Sequence, residues 1–178
     1  MIGSTTQKIF NGWAWAGVLG LTACASHPVK APDVLAVPSG QVMVLEAEGA
    51  GTQNYVCQKT DHGAHWVFVG PEADLFDKSG VRVARHVAGP RWIMADGSQF
   101  EGKVKASSPA PKDGDIPWLL LEARAASGEG KLGHVQWIQR LNTHGGMMPE
   151  ATDCQPGTVG KSDNVSYTAT YRFFATPN

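Results

Sequence analysis

The stretch EGAGTQNYVCQ, residues 48–58, decides how the rest of the chain is read. Its Gly49-x-Gly51 start resembles the glycine-rich loop that cradles a dinucleotide, and such a loop would make the protein a parallel α/β enzyme. That loop needs a strand before it, a helix after it and a third glycine for close helix packing. The third position here is Asn54, and strand-like alternation follows: Gln53, Tyr55 and Cys57 fall on one side, Asn54, Val56 and Gln58 on the other. The segment after the glycines is therefore a strand, and the glycines are expected to form a turn between two strands. No parallel β-α-β unit follows, so no nicotinamide cofactor is implied. A phosphate loop fails as well, because Gly130-Lys131 runs into Leu132 instead of Ser or Thr.

Outward from this stretch the same period of two recurs. Residues 41–48 (QVMVLEAE) and 65–70 (HWVFVG, closed by Pro71) read as strands, and residues 75–87 as a strand end, a turn at Asp77 to Gly80 and a further strand. Residues 89–106 form a hairpin, with Asp96-Gly97 supplying the positive-φ positions of a tight turn. In residues 116–126, Trp118, Leu120 and Glu122 oppose Leu119, Leu121 and Ala123. In residues 134–143, Val135, Trp137 and Leu141 share a face. The clearest strand is VSYTATYRFF, residues 165–174, where Val165, Tyr167, Ala169, Tyr171 and Phe173 alternate with Ser166, Thr168, Thr170 and Arg172. That is the pattern of a half-buried antiparallel strand. No segment offers three helical turns. About nine strands at short spacing, with 21 glycines and 11 prolines punctuating them, predict an all-β, antiparallel β-sandwich or closed β-barrel.

The 178 residues suit a single domain, residues 41–178, preceded by two other segments. Lys8 and the apolar run that ends in Leu21-Thr22-Ala23-Cys24 read as an export signal over residues 1–23. The run is too short for a stop-transfer helix. LTAC resembles a bacterial lipobox, whose cysteine is acylated and becomes the new N-terminus, and Ala25 in place of an acidic residue points to the outer membrane. A plain cleavable signal, and hence secretion, is the alternative. Residues 24–40 contain Pro28, Pro32 and Pro38 without periodicity and read as an extended tether. With Cys24 lipidated, Cys57 and Cys154 remain as one pair in an oxidising compartment, and a disulfide is expected. The net charge of −1 with no basic stripe excludes nucleic acid as a natural partner.

Several blocks together resemble the domain of unknown function 3455 family. They are residues 51–58, residues 66–104 (WVFVGPEADLFDKSGVRVARHVAGPRWIMADGSQFEGKV), residues 116–149, Cys154 and residues 165–174. The resemblance spans Gly49 to Phe174. It implies a secreted or lipid-anchored protein of bacteria or fungi, and it places Cys57 and Cys154 at paired-cysteine positions. Some fungal members carry the label malate dehydrogenase. The missing Rossmann cradle gives that label no support in these residues.

Chemistry-bearing residues gather near strand ends and turns, where sites usually lie. His86, Arg91, Trp92, Trp118, Arg140 and Thr143 are the candidates for a ligand site, with Trp66 and Trp137 as further aromatics that line a cavity or fill the core. An acid/base or hydrolase-like enzyme would need His86, Asp96 and Ser98 to converge, yet Asp96-Gly97-Ser98 reads more simply as a hairpin tip and no nucleophile elbow surrounds the serine. His62 and His65 sit in a loop-like HGAH without a metal-binding helix or a Cys/His quartet, so no metal site is assigned. The favoured expectation is a non-catalytic module that binds a small amphipathic ligand or an envelope protein. The alternative is a small enzyme using His86 and Asp96.

Overall fold

The computed structural model describes residues 1, 3, 29–128, 130 and 132–177. The export signal and Cys24 thus lie outside the described residues, apart from Met1 and Gly3. The described residues form eight strands, β1 (Val42–Thr60), β2 (Gly63–Phe76), β3 (Arg82–Val87), β4 (Arg91–Met94), β5 (Gln99–Ser108), β6 (Trp118–Ser127), β7 (Trp137–Gly145) and β8 (Ser162–Ala175). Short 3-10 turns occupy Asp33–Leu35, Ala151–Asp153 and Pro156–Thr158. Every strand is antiparallel to its sequence neighbour, and β8 pairs with β1 from Val42↔Ala175 to Val56↔Ser162, closing the barrel. Of the two all-β architectures expected, the closed barrel is the one formed.

Two expected breaks are absent, so the strands expected before and after Gly49–Gly51 are one, as are those before and after Pro71. The glycines of EGAG form no turn: β1 runs unbroken through them, paired on both sides. They are glycines because of close approach. A Cβ at Gly49 would lie 2.7 Å from the Tyr171 ring, and one at Gly51 would collide with the Glu72 carbonyl oxygen. Likewise β2 continues through Pro71. Its partner register in β1 shifts at Asn54/Tyr55, and β3 pairs only from Ala73 onward, so Pro71 lies beside the irregularity and beyond the β3 ladder. A proline is tolerated in such a place because no ladder bond needs its missing N–H.

The inward face of β8 carries Tyr167, Ala169, Tyr171 and Phe173 into the main core, with Ala47 and Leu75 from β1 and β2, Trp92 and Phe100 from β4 and β5, and Ile138 from β7. Trp92, Phe100, Tyr171 and Phe173 pack as an aromatic cluster, Trp92 and Phe173 edge to face at 6.3 Å. Each such ring contributes a large buried area, and edge-to-face contacts add about 0.5–1.5 kcal/mol.

The outer surface has its own apolar layer. Trp118, Leu120 and Leu141 point away from the barrel axis and are covered by Leu35, with Val29, Ala31 and Val37 around it. The described part of the expected tether is therefore packed: Leu35 is 0% exposed, its carbonyl accepts a hydrogen bond from Gln139 Nε2 at 2.7 Å, and Arg172 donates to the Val29 carbonyl at 2.8 Å. The physical reason is that Leu35, flanked by Val29, Ala31 and Val37, meets an outer β6–β7 face too apolar to leave in water. Cys57 and Cys154 form a disulfide, with Cα atoms 5.4 Å apart, that ties the segment after β7 to β1. Tyr55 and Trp66 pack around it, and Trp66 Nε1 donates to the Glu150 carbonyl.

Candidate ligand cavity at the barrel mouth

At the end of the barrel where β1 meets the start of β8, the interior is not filled. Strand alternation sends Gln53 and Tyr55 inward from β1, His86 from β3, Trp92 from β4, Leu119 and Leu121 from β6, Arg140 from β7 and Tyr171 from β8. They enclose a cavity of about 480 Å³, whose rim includes Phe68, Val69, Pro71, Pro90, Val104 and Pro117. This is within the size range of small-molecule sites. Three rim side chains are large, apolar and half exposed: Phe68 at 48%, Val69 at 53% and Val104 at 49%.

The polar groups in the lining are few and distinct. His86 is 3% exposed and stacks on Trp92 with ring centres 4.2 Å apart. Its Nδ1 lies 3.1 Å from the Arg91 carbonyl oxygen, so in the neutral ring Nδ1 carries the proton and Nε2 is an acceptor. Burial lowers its pKa to about 3; the bond to Arg91 opposes this, and the charge of Arg140 adds to it. Tyr171 and Tyr167 meet hydroxyl to hydroxyl at 3.0 Å, and burial raises both pKa values, that of Tyr171 strongly. Tyr55 donates to the Gly146 carbonyl at 2.7 Å and is likewise shifted upward by burial. Arg140 Nη2 donates to the Pro117 carbonyl at 2.8 Å, while its buried Nε has no partner. Gln53 Nε2 is buried without a hydrogen bond, although the amide lies toward the Tyr167 hydroxyl. No Asp or Glu belongs to the lining.

His86, Trp92 and Arg140 are thus brought together, and the other ligand candidates are placed elsewhere. Trp118 faces outward under the strap. Arg91 offers its carbonyl to His86 while its side chain is exposed outside the barrel. Thr143 is buried and donates to the Ile116 carbonyl behind the β7 irregularity at Asn142, where φ is 48°. Trp66 packs on the disulfide and Trp137 on the outer layer.

His86, Asp96 and Ser98 do not converge. His86 pairs with Trp92 near the turn at Gly89, whereas Asp96 and Ser98 form the turn at the other end of β4. Asp96 accepts hydrogen bonds from the backbone N–H groups of Ser98 and Leu132. Burial raises its pKa, but these bonds outweigh it and hold the carboxylate below its usual range. The Ser98 hydroxyl is buried without a partner. Asp96 is a loop-organising residue in this arrangement. Among the described residues, no three His, Cys, Asp or Glu side chains cluster as metal ligands.

The cavity residues that sequence reasoning did not single out include Gln53, Tyr55, Leu119 and Tyr171. One signal was present: Gln53 shares the inward face of β1 with Tyr55 and Cys57, and a polar amide on a core face marks a special site.

Residues 38–175 match the family described as "Protein of unknown function (DUF3455)". The chain belongs to the DUF3455 family. The DUF3455 match takes in all eight strands and both halves of the disulfide, and it begins just after the part of the strap that covers Trp118. No curated protein and no solved structure matches this DUF3455 chain.

Proposed function

We propose that this DUF3455 protein is a non-catalytic binding module of the cell envelope, which holds one small apolar or amphipathic molecule in the mouth of its barrel. The observation that carries the reading is the cavity of about 480 Å³, enclosed by Trp92, Leu119 and Leu121 and framed by an exposed apolar rim. An apolar guest would gain about 25 cal/mol for each Å² of its surface removed from water there, and would cover rim side chains that are otherwise wet.

The lipobox-like LTAC supports anchoring through Cys24 at the outer membrane. Four residues, Ala25 to Pro28, separate Cys24 from Val29, the first described residue of the strap, so an acylated Cys24 would lie within about 18 Å of Val29. The strap meets the barrel at Val29 beside Arg172 and Glu46, and Leu35 then lies on the outer face over Trp118 and Leu120 rather than inside the mouth, an arrangement compatible with a domain that rides close to the bilayer.

The test is saturable binding of the neutral probe N-phenyl-1-naphthylamine, followed by fluorescence, with native mass spectrometry of the exported domain for any retained small molecule. One probe per chain is expected, and Leu119→Trp, which fills the cavity, should reduce affinity at least tenfold with circular dichroism unchanged. Absence of saturable binding, or equal binding by the filled variant, would overturn the reading.

A further inference from the structure

We propose that the ligand carries a single carboxylate, seated on Arg140 and Gln53, with an apolar chain directed past Leu119 toward the rim. This rests on the cavity being a ligand site. It adds the chemical class of the ligand, and four observations carry it.

Arg140 is the one charged side chain in the cavity lining, and among the described residues no carboxylate pairs with it. Its Nε is buried and unpartnered, and the guanidinium's Nη2 is held by the Pro117 carbonyl, a neutral acceptor. Arg140 is only partly buried as a residue, but its Nε faces an apolar enclosure, and a cation so placed gains from an anion that can reach it. Second, the Gln53 amide presents another buried, unpartnered N–H donor to the same cavity, 3% exposed.

Third, none of the neighbouring titratable groups supplies a negative charge. His86 is held neutral, and the Tyr55, Tyr167 and Tyr171 hydroxyls are held protonated by burial. Fourth, a guanidinium is a planar fork that matches a carboxylate in two parallel hydrogen bonds. One cation neutralises one monoanion. A phosphate dianion would leave a second negative charge uncompensated in an apolar enclosure. The rest of the lining, Leu119, Leu121 and Trp92 with Phe68 at the lip, gives an acyl or similar chain an apolar path from the head to solvent.

The experiment compares matched ten-carbon probes, decanoate, decanol and decylammonium, by displacement of bound N-phenyl-1-naphthylamine from the wild-type domain at neutral pH. Decanoate should displace at least tenfold more strongly than decanol, a difference of about 1.4 kcal/mol, and decylammonium should be the weakest. Arg140→Gln should remove the preference for decanoate while leaving decanol affinity within about twofold, and Gln53→Leu should reduce the preference severalfold. Circular dichroism and the unfolding midpoint report whether each variant folds, and the wild-type comparison stands without them. Equal displacement by decanoate and decanol would overturn the carboxylate while the apolar site remains. Failure of N-phenyl-1-naphthylamine to bind at all would overturn the site and the carboxylate with it. A preference that persists in a folded Arg140→Gln variant would move the anion away from Arg140 and refute the assignment.

Discussion

His86 shows how far its surroundings decide a residue's chemistry. Burial, with a smaller push from the charge of Arg140 and against the bond to the Arg91 carbonyl, lowers its pKa in the fold to about 3, from about 6.5 in the unfolded chain. Below pH 6.5 the unfolded state therefore binds more protons, and stability falls as pH falls, by up to about 1.4 kcal/mol per pH unit, until the folded pKa is reached. Above pH 6.5 the residue contributes no pH dependence. His86→Phe keeps the stacking and removes the proton site. Its stability in urea should gain steadily on the wild type between pH 6.5 and 4, on top of a constant loss from the unpaired Arg91 carbonyl. Parallel pH profiles for the two proteins would show that the imidazole is charged in the fold. The same residue illustrates the reach of sequence reading. The His86, Arg91, Trp92 stretch could be singled out, but only the pairing of β3 with β4 turns His86 and Trp92 inward and Arg91 outward.

Among the elements, the N-terminal strap departs furthest from its sequence appearance. Three prolines and no period of two suggest an extended tether, yet Leu35 is buried on Trp118, Leu120 and Leu141. Local pattern failed here because the strap uses one side chain and a few carbonyls, too few to make a period. Leu35→Ala should lower the unfolding free energy by about 2 kcal/mol or more. It should also open residues 29–40 to proteolysis, detected by limited digestion and mass analysis; an unchanged digest would mean the strap does not depend on this anchor. Strands β1 and β2 carry the complementary lesson. Glycine and proline are ordinarily breakers, and both strands run through them because Gly49 and Gly51 lie against Tyr171 and Ala73 while Pro71 has no ladder partner on one side. Those reasons lie in the neighbouring strands.

For the whole molecule, closure joins the chain's two ends. Strands β1 and β8, separated by most of the domain, form the longest shared ladder, supported by Arg172 on Glu46 at 2.7 Å and Thr170 on Glu48 at 2.9 Å. The Cys57–Cys154 bridge, across a sequence separation of 97, braces the mouth end of that ladder. In the chain-entropy model a loop of this length contributes about 4.7 kcal/mol. Cys154→Ser, or reduction, should cost about 2–5 kcal/mol in urea unfolding while far-UV circular dichroism below the transition stays that of the barrel. A loss well under 1 kcal/mol would show that strand closure alone constrains the unfolded chain.

By itself, the sequence determined the all-β class, most strand positions, the alternation that puts Tyr167, Ala169, Tyr171 and Phe173 on one face, the Asp96-Gly97 hairpin and the cysteine pair. These are properties of a few consecutive residues or of residue inventory, so they survive without knowledge of neighbours. Tertiary structure alone decided that the sheet closes, that both faces of the first part of β6 are covered, Leu121 toward the axis and Trp118 and Leu120 beneath the strap, and that Arg140 points into an unfilled mouth. Inside and outside of a barrel are defined by a register between distant strands, and a period of two is the same pattern whichever face turns inward.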